Sequence, residues 1–429
     1  MDDSTCPAVL AEVSREVQEL LDWVRTCPDL DLGTAETTTL ARLRSIGARL
    51  LETGLAARAP GVREPGPVCS CATRMQLERH RPKGVQTLVG WITVERAAYR
   101  CPACGARQVP RDAVLGLGRD SQSPGVRRLA SQFGALLPFA RAAATLADAA
   151  AIHLSASTVR TVTEGVGQQR EATLQAEIAT AWDHGWAAPA APPPDRCYVA
   201  MDGVRILGTD GQGREVKLGR VVPVHTTPHG ERRGPSRFAA GLEPADAFGR
   251  RLAVVAHGVG AETAPQLAVL GDGAAWIWNL AAEHFPHAVQ IVDWDHASER
   301  VWALGRARFG EGTPATEAWV DRQLDRLRAG EAAGLAADWA ALRLPGEAAS
   351  VRDEQVTYFT NQASRMAYDR YRAAGWDIGS GMIESGCKTV IGQRQKGSGM
   401  RWSNAGAQTV ANVRLLLFNT EWDAHWAAA

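Results

Sequence analysis

The chain has 429 residues, with 47 basic and 47 acidic side chains and a hydrophobic fraction of 45%. That length exceeds one ordinary core and predicts two or more domains. No apolar run approaches the roughly 18 residues that a membrane helix needs, and the start MDDSTCPAVL lacks the order of a signal peptide, so a soluble intracellular protein is expected. The zero formal charge hides opposed segments: residues 1–60 carry ten acidic and six basic side chains, residues 61–130 twelve basic and five acidic, and residues 385–414 five basic and none acidic. Such stripes attract phosphates whatever the total charge.

Residues 1–60 form the first region, where apolar residues three and four apart over 5–57 predict two helices broken at CPDLDLGTAE. This amphipathic pair can pack on its own body or on a partner chain. Residues 61–112 change texture, and the alternation in QTLVGWITVERAAYR around Gly90 predicts a hairpin bracketed by Cys69, Cys71, Cys101 and Cys104. Thiolates from two tight turns can surround a structural zinc ion, which stabilises a module too small to bury its own core. Only one residue separates Cys69 from Cys71, which requires a strained turn or another ligand, His80 being the nearest. The alternative is four buried free thiols.

Residues 113–186 read as helical. Within them, ARAAATLADAAAIHLSASTVRTVTEGVGQQ has the pattern of helix, short turn and helix, which resembles a helix-turn-helix. In that case Ser157, Thr158, Arg160 and Thr161 open the second helix and face base edges or phosphates; the alternative is an ordinary helical hairpin. The Ala/Pro-rich segment 187–195 is expected to be a semi-rigid linker and the main domain boundary.

Beyond it, CYVAMDGVRIL, EVKLGRVVPVHTT and SRFAAGLE predict three antiparallel strands, followed by helix, strand, helix and strand. Asp202 lies in the first strand, Asp272 ends the fourth, and Asp293 with His296 follows the fifth. This order predicts a multidomain α/β protein with a ribonuclease-H-like domain over 196–302 and 373–420, interrupted by a helical insertion at 303–372. Acids at strand ends converge where chemistry sits. In GWDIGSGMIESGCK, Glu384 falls in the first turn of a helix, with Lys388 four residues on. Three carboxylates would hold divalent cations of the kind that phosphoryl transfer uses. Of the fourteen tryptophans, those at 294, 302, 319 and 339 are candidates for stacking on bases, core packing being the commoner role.

The motifs MDGV, EVKLG, LGDGAAWIWNLAAEHFP, DWDHASERVW, GSGMIESGCK and RQKGSGMRWSNAGAQ, in this order over about residues 200–420, resemble those of ISKra-type insertion-sequence transposases of the Mutator-like DDE recombinase group. The resemblance implies a DNA transposase that uses two Mg²⁺ or Mn²⁺ ions to cleave insertion-sequence ends and join them to target DNA. It makes Asp202, Asp272 and Glu384 the metal-binding acids, and gives Asp293 and His296 a role beside the metals or in orienting a strand. Otherwise these two residues are a helix N-cap and a hydrogen-bonded core histidine. Arg394, Lys396, Arg401 and Asn404, with Lys388, would contact the phosphate backbone; the alternative is a solvated basic face. The implied partners are double-stranded DNA, as terminal inverted repeats and target, and a second or further copy of the chain, in a cytoplasmic, nucleoid-associated setting. Two features depart from the family pattern: the close Cys69/Cys71 pair, and Asp295 where an aromatic is usual. A catalytically silent DNA-binding regulator and a structure-specific nuclease on the same fold are the alternatives.

Overall fold

The computed structural model describes residues 5–58, 62, 64–188, 192–379 and 381–428. Parts of four expectations therefore lie outside the described residues: the ends of the 1–60 region, positions 61 and 63 of the 61–112 module, the middle of the 187–195 linker and position 380 of the glycine-rich approach to Glu384. The protein is mixed α/β, and among the described residues no helix is long and apolar enough to cross a membrane. It divides into two compact units, residues 1–163 with 426–429, and residues 164–425.

In the first unit, helix α1 (Thr5–Thr26) and helix α2 (Leu32–Ala57) form the predicted pair. The Asp31 carboxylate caps α2 by accepting the Thr34 N–H at 2.9 Å, and Arg49 of α2 reaches Glu12 and Glu16 of α1 at 2.7 Å each. Five short strands follow: β1 (Gln76–His80), β2 (Lys83–Thr87), β3 (Gly90–Val94), β4 (Ala97–Arg100) and β5 (Arg107–Gln108). The hairpin around Gly90 forms as β2–β3, with Thr87 paired to Gly90. It makes a sheet of its own, whereas the cysteines sit on a second sheet of order β1-β4-β5. Burial separates the two: Val85, Ile92 and Val94 share one apolar cluster, while Met75, Ala97 and Tyr99 join Cys69 and Cys101 in another.

Helix α3 (Pro110–Val114) then leads to α4 (Pro124–Leu136), α5 (Phe139–Ala150) and α6 (Ala156–His184). Val126 and Ala130 of α4, Ala142 and Leu146 of α5, and Val159 and Val162 of α6 pack round Ile152 in one core. The turn between α5 and α6 has left-handed Ala151 at φ 53°, and the Ser155 hydroxyl caps α6 by accepting the Thr158 N–H at 3.0 Å.

The division between the two units falls inside α6. Residues of α6 beyond 163 are bound into the second unit by a buried polar network: Glu171 accepts from Arg251 at 2.8 and 3.1 Å and from Asn412 at 2.8 Å, and Asn412 also donates to the Gly167 carbonyl. Hydrogen bonds and the Arg251 charge hold the Glu171 carboxyl down at about 2, although its burial acts the other way.

The second unit is built on a mixed sheet of β6 (Arg196–Leu207), β7 (Gly213–Thr227), β8 (Gly230–Arg233), β9 (Arg237–Gly241), β10 (Gln266–Gly271) and β11 (Val289–Val292). Its order is β11-β10-β6-β7-β8, with β9 also paired to β7. The pairs β6–β7 and β7–β9 are antiparallel, whereas β10 is parallel to both β6 and β11. The short β8, four charged and glycine residues, is an addition to the expected strands. Helices α7 (Ala245–Gly258) and α8 (Ala275–His284) precede β10 and β11, and α9 (Trp294–Phe309) follows β11.

Residues 303–372 are helical as anticipated, continuing through α10 (Pro314–Arg328), α11 (Ala332–Ala340), α12 (Gly346–Gln362) and α13 (Tyr368–Ala373). Their interior holds Trp319, Trp339 and Phe359, with ring centroids 6.1 and 4.6 Å apart along the chain of contacts. Trp339 is 1% exposed and donates its indole N–H to Gln323. Trp319 and Trp339 are therefore core residues, not surfaces for bases. The chain ends with α14 (Gly381–Gly386), a π-helical turn (Cys387–Gly392), α15 (Gln393–Gln395), α16 (Asn404–Phe418) and α17 (Trp422–Ala428).

Helices α6 and α16 meet at Gly167, where an added Cβ would lie 2.1 Å from the Thr409 carbonyl oxygen. Alanine ordinarily favours a helix over glycine by roughly 1 kcal/mol. Here the collision with backbone outweighs that preference, and Gly167→Ala is expected to destabilise the second unit by about 2 kcal/mol. Chemical denaturation followed by far-ultraviolet circular dichroism measures it, and a variant at least as stable as the parent would contradict the packing argument.

Candidate active site and metal centre

The sheet register brings three acids into a row. Leu270 of β10 pairs with Ala200 of β6, so two residues further on Asp272 comes level with Asp202. Gly271 pairs with Val292 of β11, so Asp293 follows level with Asp272, and the Asp293 N–H donates to the Gly271 carbonyl at 2.9 Å. Asp272 and Asp293 directly follow the C-terminal ends of β10 and β11, whereas Asp202 lies within β6, two residues beyond the last one paired with β10.

Asp202 accepts the Gly203 N–H at 2.6 Å and the Cys387 thiol at 3.3 Å. Burial raises its carboxyl above the usual range and the Asp272 charge adds to this, while the Cys387 and Gly203 hydrogen bonds and the nearby His296 pull the other way. Asp272 accepts the Ala274 N–H at 2.9 Å. Two side chains of α12 brace its turn: Tyr358 donates to the Asp272 carbonyl at 2.7 Å, and Gln362 to the Gly273 carbonyl at 2.9 Å. Gly273 is required there, because its φ is 102° and a Cβ would meet the Tyr358 ring at 2.7 Å.

Asp293 is 2% exposed and is the N-cap of α9, accepting the His296 N–H at 2.9 Å. Its other oxygen lies 2.5 Å from His296 Nδ1. That hydrogen bond and the carboxylate charge lift the imidazole to about 9, so His296 is a cation at neutral pH. Asp293 thus serves as both N-cap and imidazolium partner, and the charge of His296 reaches Asp202 and Asp272. Asp295 is exposed in the first turn of α9, a position that favours an acid.

Glu384 enters on α14, held against the sheet by Gly386, whose Cβ would meet Phe238 and Leu218 at 3.0 and 3.2 Å. Arg220 of β7 donates to the Ser385 hydroxyl at 2.9 Å and to the Met382 carbonyl. Glu384 is exposed, and its charge helps to hold up the Cys387 thiol, which is raised chiefly by burial. Cys387 therefore links Asp202 with the Glu384 helix, a role that sequence reasoning missed although the residue stands three positions after Glu384. Lys388 is exposed within the π-turn, where the regular winding behind the expected shared face with Glu384 no longer applies. Arg414 steadies that turn by donating to the Thr389 and Val390 carbonyls.

Among the described residues, only the four cysteines bring three or more Cys, His, Asp or Glu ligand atoms within 4.8 Å of one another, so Asp202, Asp272 and Glu384 are not drawn that close. Their oxygens are nonetheless the hard donors that Mg²⁺ and Mn²⁺ prefer.

Of the residues expected to face DNA, Lys396, Arg401 and Asn404 are exposed, Asn404 accepting from Arg214 at 2.9 Å. Arg394 is not: it is 1% exposed, its guanidinium 4.9 Å from the Trp402 ring centroid, and burial lowers it to about 10. The expectation of a phosphate contact is corrected for this residue, which is packed inside the unit. In the first unit Arg160 is exposed, and Thr158 is half-buried beside its cap.

The four cysteines fit zinc. Their sulfurs lie 3.5 Å (Cys69–Cys104), 3.5 Å (Cys71–Cys101) and 3.6 Å (Cys71–Cys104) apart. Thiolates at about 2.3 Å round a tetrahedral ion stand roughly 3.8 Å from one another. The cluster could therefore hold a structural metal such as zinc with little movement. The short Cys69-Ser70-Cys71 pair closes through left-handed Ala72, φ 62°, whose N–H donates to the Cys69 carbonyl. On the other side, Gly105 at φ 74° closes the Cys101–Cys104 turn. His80 lies outside the group of ligands. Hydrogen bonds from Thr73 bring the Cys71 thiol down to about 6, favouring the thiolate that a metal takes.

Two measurements test these sites. Metal analysis of the purified protein is expected to find one zinc per chain, lost in Cys101→Ser and Cys104→Ser; zinc retained in both would exclude the cluster. Nitrogen-detected imidazole NMR is expected to show His296 protonated through neutral pH and titrating near 9, returning to the ordinary histidine range in Asp293→Asn. Because its folded-state value is raised, the stability this pair adds is present below the ordinary histidine value and is lost as pH rises through about 9. Comparison of the chain with protein-family models and with curated proteins finds no match.

Proposed function

We propose that the chain is a DNA transposase whose chemistry is metal-dependent phosphoryl transfer at Asp202, Asp272 and Glu384, on a ribonuclease-H-like domain interrupted by a helical insertion. The observation that carries this reading is the alignment of Asp202, within β6, with Asp272 at the end of the neighbouring parallel strand β10, with Cys387 joining Asp202 to the helix of Glu384. An antiparallel run β6-β7-β9 continued by β10 and β11 on the other edge of β6 supports the fold assignment, being the element order anticipated for such a domain.

A pair of Mg²⁺ or Mn²⁺ ions, when bound, would polarise the scissile phosphate and stabilise the attacking and leaving oxygens. Asp202, Asp272 and Glu384 are the residues that would hold them. Burial and the facing Asp272 both oppose the charge of Asp202. The His296 imidazolium, oriented by Asp293, offers a proton donor and a positive charge to a phosphate oxygen beside the row. Tyr358 and Gln362 keep the Asp272–Gly273 turn from relaxing as charge changes nearby. The exposed Lys396 and Arg401, with the α5–α6 pair in the first unit, are the proposed DNA contacts, and pairing of two DNA ends calls for at least a dimer.

The test is cleavage and joining of terminal-repeat DNA with Mg²⁺. Asp202→Ala and Glu384→Ala are each expected to reduce cleavage by at least about a thousandfold, roughly 4 kcal/mol of barrier, while leaving duplex binding by the other contacts. Unchanged cleavage would eliminate the reading. Binding with no cleavage of any cognate end would indicate a regulator, and cleavage without joining a structure-specific nuclease.

A further inference from the structure

Helices α1 and α2 of the first unit leave an apolar face exposed. On α1 it consists of Leu10, Val17, Leu21 and Val24, and on α2 of Leu40, Leu43 and Leu50, each between 39 and 55% exposed. Single exposed apolar side chains are ordinary, whereas a repeated row along two helices marks a contact surface. The spacing is that of a coiled-coil seam. Leu10, Val17 and Val24 share one position of the heptad and Leu21 takes the other; on α2, Leu43 and Leu50 share one and Leu40 takes the other.

The two rows lie on one side of the helix pair. Glu16 of α1, which binds Arg49 of α2, belongs to a partly buried line with Val9, Val13, Leu20 and Trp23, so this line faces α2. Each exposed residue of the α1 row comes one position after a member of that line, about 100° further round the helix. On α2 the facing line runs through Arg49 and the buried Ile46, and Leu50 again comes one position after it. The short connection at 27–31 makes the helices antiparallel, and equal turns about antiparallel axes point to the same side. The levels agree as well. Arg49 reaches both Glu12 and Glu16, which puts Leu50 within about one turn of the level of Leu10, Leu43 of Val17, and Leu40 of Leu21.

We propose that this face joins two copies of the chain in a four-helix bundle, α1 of each copy lying antiparallel on α2 of the other. A two-fold axis along the bundle sets Leu10 over the partner's Leu50, Val17 over the partner's Leu43, and Leu21 over the partner's Leu40. All neighbouring helices are then antiparallel, the arrangement that such bundles favour. Charge selects this pairing over α1 on α1, because α1 carries four acidic and two basic side chains and α2 two acidic and three basic. The area suffices for a stable dimer. At roughly 80 Å² of apolar surface for each side chain, the face offers about 560 Å² per chain. Homodimer interfaces are about 65% apolar, so this corresponds to about 850 Å² per subunit, against the roughly 800 Å² of a stable complex. The transposase reading calls for at least a dimer, but this interface needs neither DNA nor metal and stands or falls apart from that reading.

The experiment uses the full chain without DNA. Sedimentation equilibrium at micromolar concentration is expected to give twice the chain mass of 46.0 kDa. Val17→Glu with Leu21→Glu, and separately Leu43→Glu, place charges in the seam at positions exposed in one copy, and each is expected to weaken the dimer by at least about a hundredfold. Circular dichroism melts verify that each variant is folded. The pairing is read by mixing two variants, Leu21→Cys and Leu40→Cys, under mild oxidation: a covalent dimer is expected from the mixture and from neither variant nor the parent alone. A monomeric parent, a dimer kept by both folded charge variants, or a covalent dimer from Leu21→Cys alone and not from the mixture would each overturn the proposal. Cleavage of terminal-repeat DNA with Mg²⁺ is read separately, so a dimer without cleavage sinks only the phosphoryl-transfer reading, and a monomer that cleaves sinks only the interface.

Discussion

Everything proposed for the second unit depends on the parallel register of β6, β10 and β11. Antiparallel neighbours would point successive strand ends in opposite directions and scatter the acids, whereas three parallel strands deliver Asp202, Asp272 and Asp293 to one edge of the sheet. A slip of one residue would turn a whole strand's side chains to the opposite face. What prevents it is burial on both faces: Val199, Ala200, Val269, Leu270, Ile291 and Val292 are all buried, so either face of a slipped strand would meet a packed core.

The elements outside the sheet take on meaning from that edge. The helical insertion has a core of its own in Trp319, Trp339 and Phe359, and through α12 it spends Tyr358 and Gln362 on the two carbonyls of the Asp272–Gly273 turn. It is a brace for one acid as much as an added surface. On the other side, the π-turn after Glu384 frees carbonyls that an α-helix would satisfy, and buried Arg414 from α16 takes two of them. That arrangement lets Cys387 reach Asp202 while Glu384 stays exposed at the same end of the unit.

Much of this was legible in the sequence because each signal was local. The strands followed from alternation, and the cysteine group that could hold a metal from cysteine pairs flanking short strands; Asp202 within an apolar strand and Asp272 and Asp293 at the ends of two others were the acids the sequence offered as candidates. The errors are equally physical. Arg394 reads as a surface cation in a basic stretch, yet Trp402 eight positions later supplies a ring for it to stack on inside the core, a contact that no local pattern announces. Cys387 was passed over because a single thiol carries no spacing signal, and only the π-turn brings it to Asp202. The two compact units divide inside the long α6, whose part beyond residue 163 is held by contacts of Gly167, Glu171 and Asn412 that no local pattern announces. The left-handed Ala72 that closes the short cysteine pair was likewise invisible, since alanine gives no hint of positive φ.

The three aligned acids are unequal in a way that assigns their proposed roles. Asp293 has both oxygens engaged, one on a backbone N–H and one on an imidazolium, so a cation would compete with contacts already made. Asp272 has a single backbone N–H on its carboxylate and a turn clamped from outside, which leaves it oriented and partly available. Asp202 has the weakest support, its own adjacent N–H and a thiol, and thiols are poor donors. Burial and the Asp272 charge push its carboxyl upward, so it gains from a nearby positive charge. In the proposed metal site, that unmet demand would make Asp202 the first ligand, with Asp272 and Glu384 completing the set and Asp293 acting through His296.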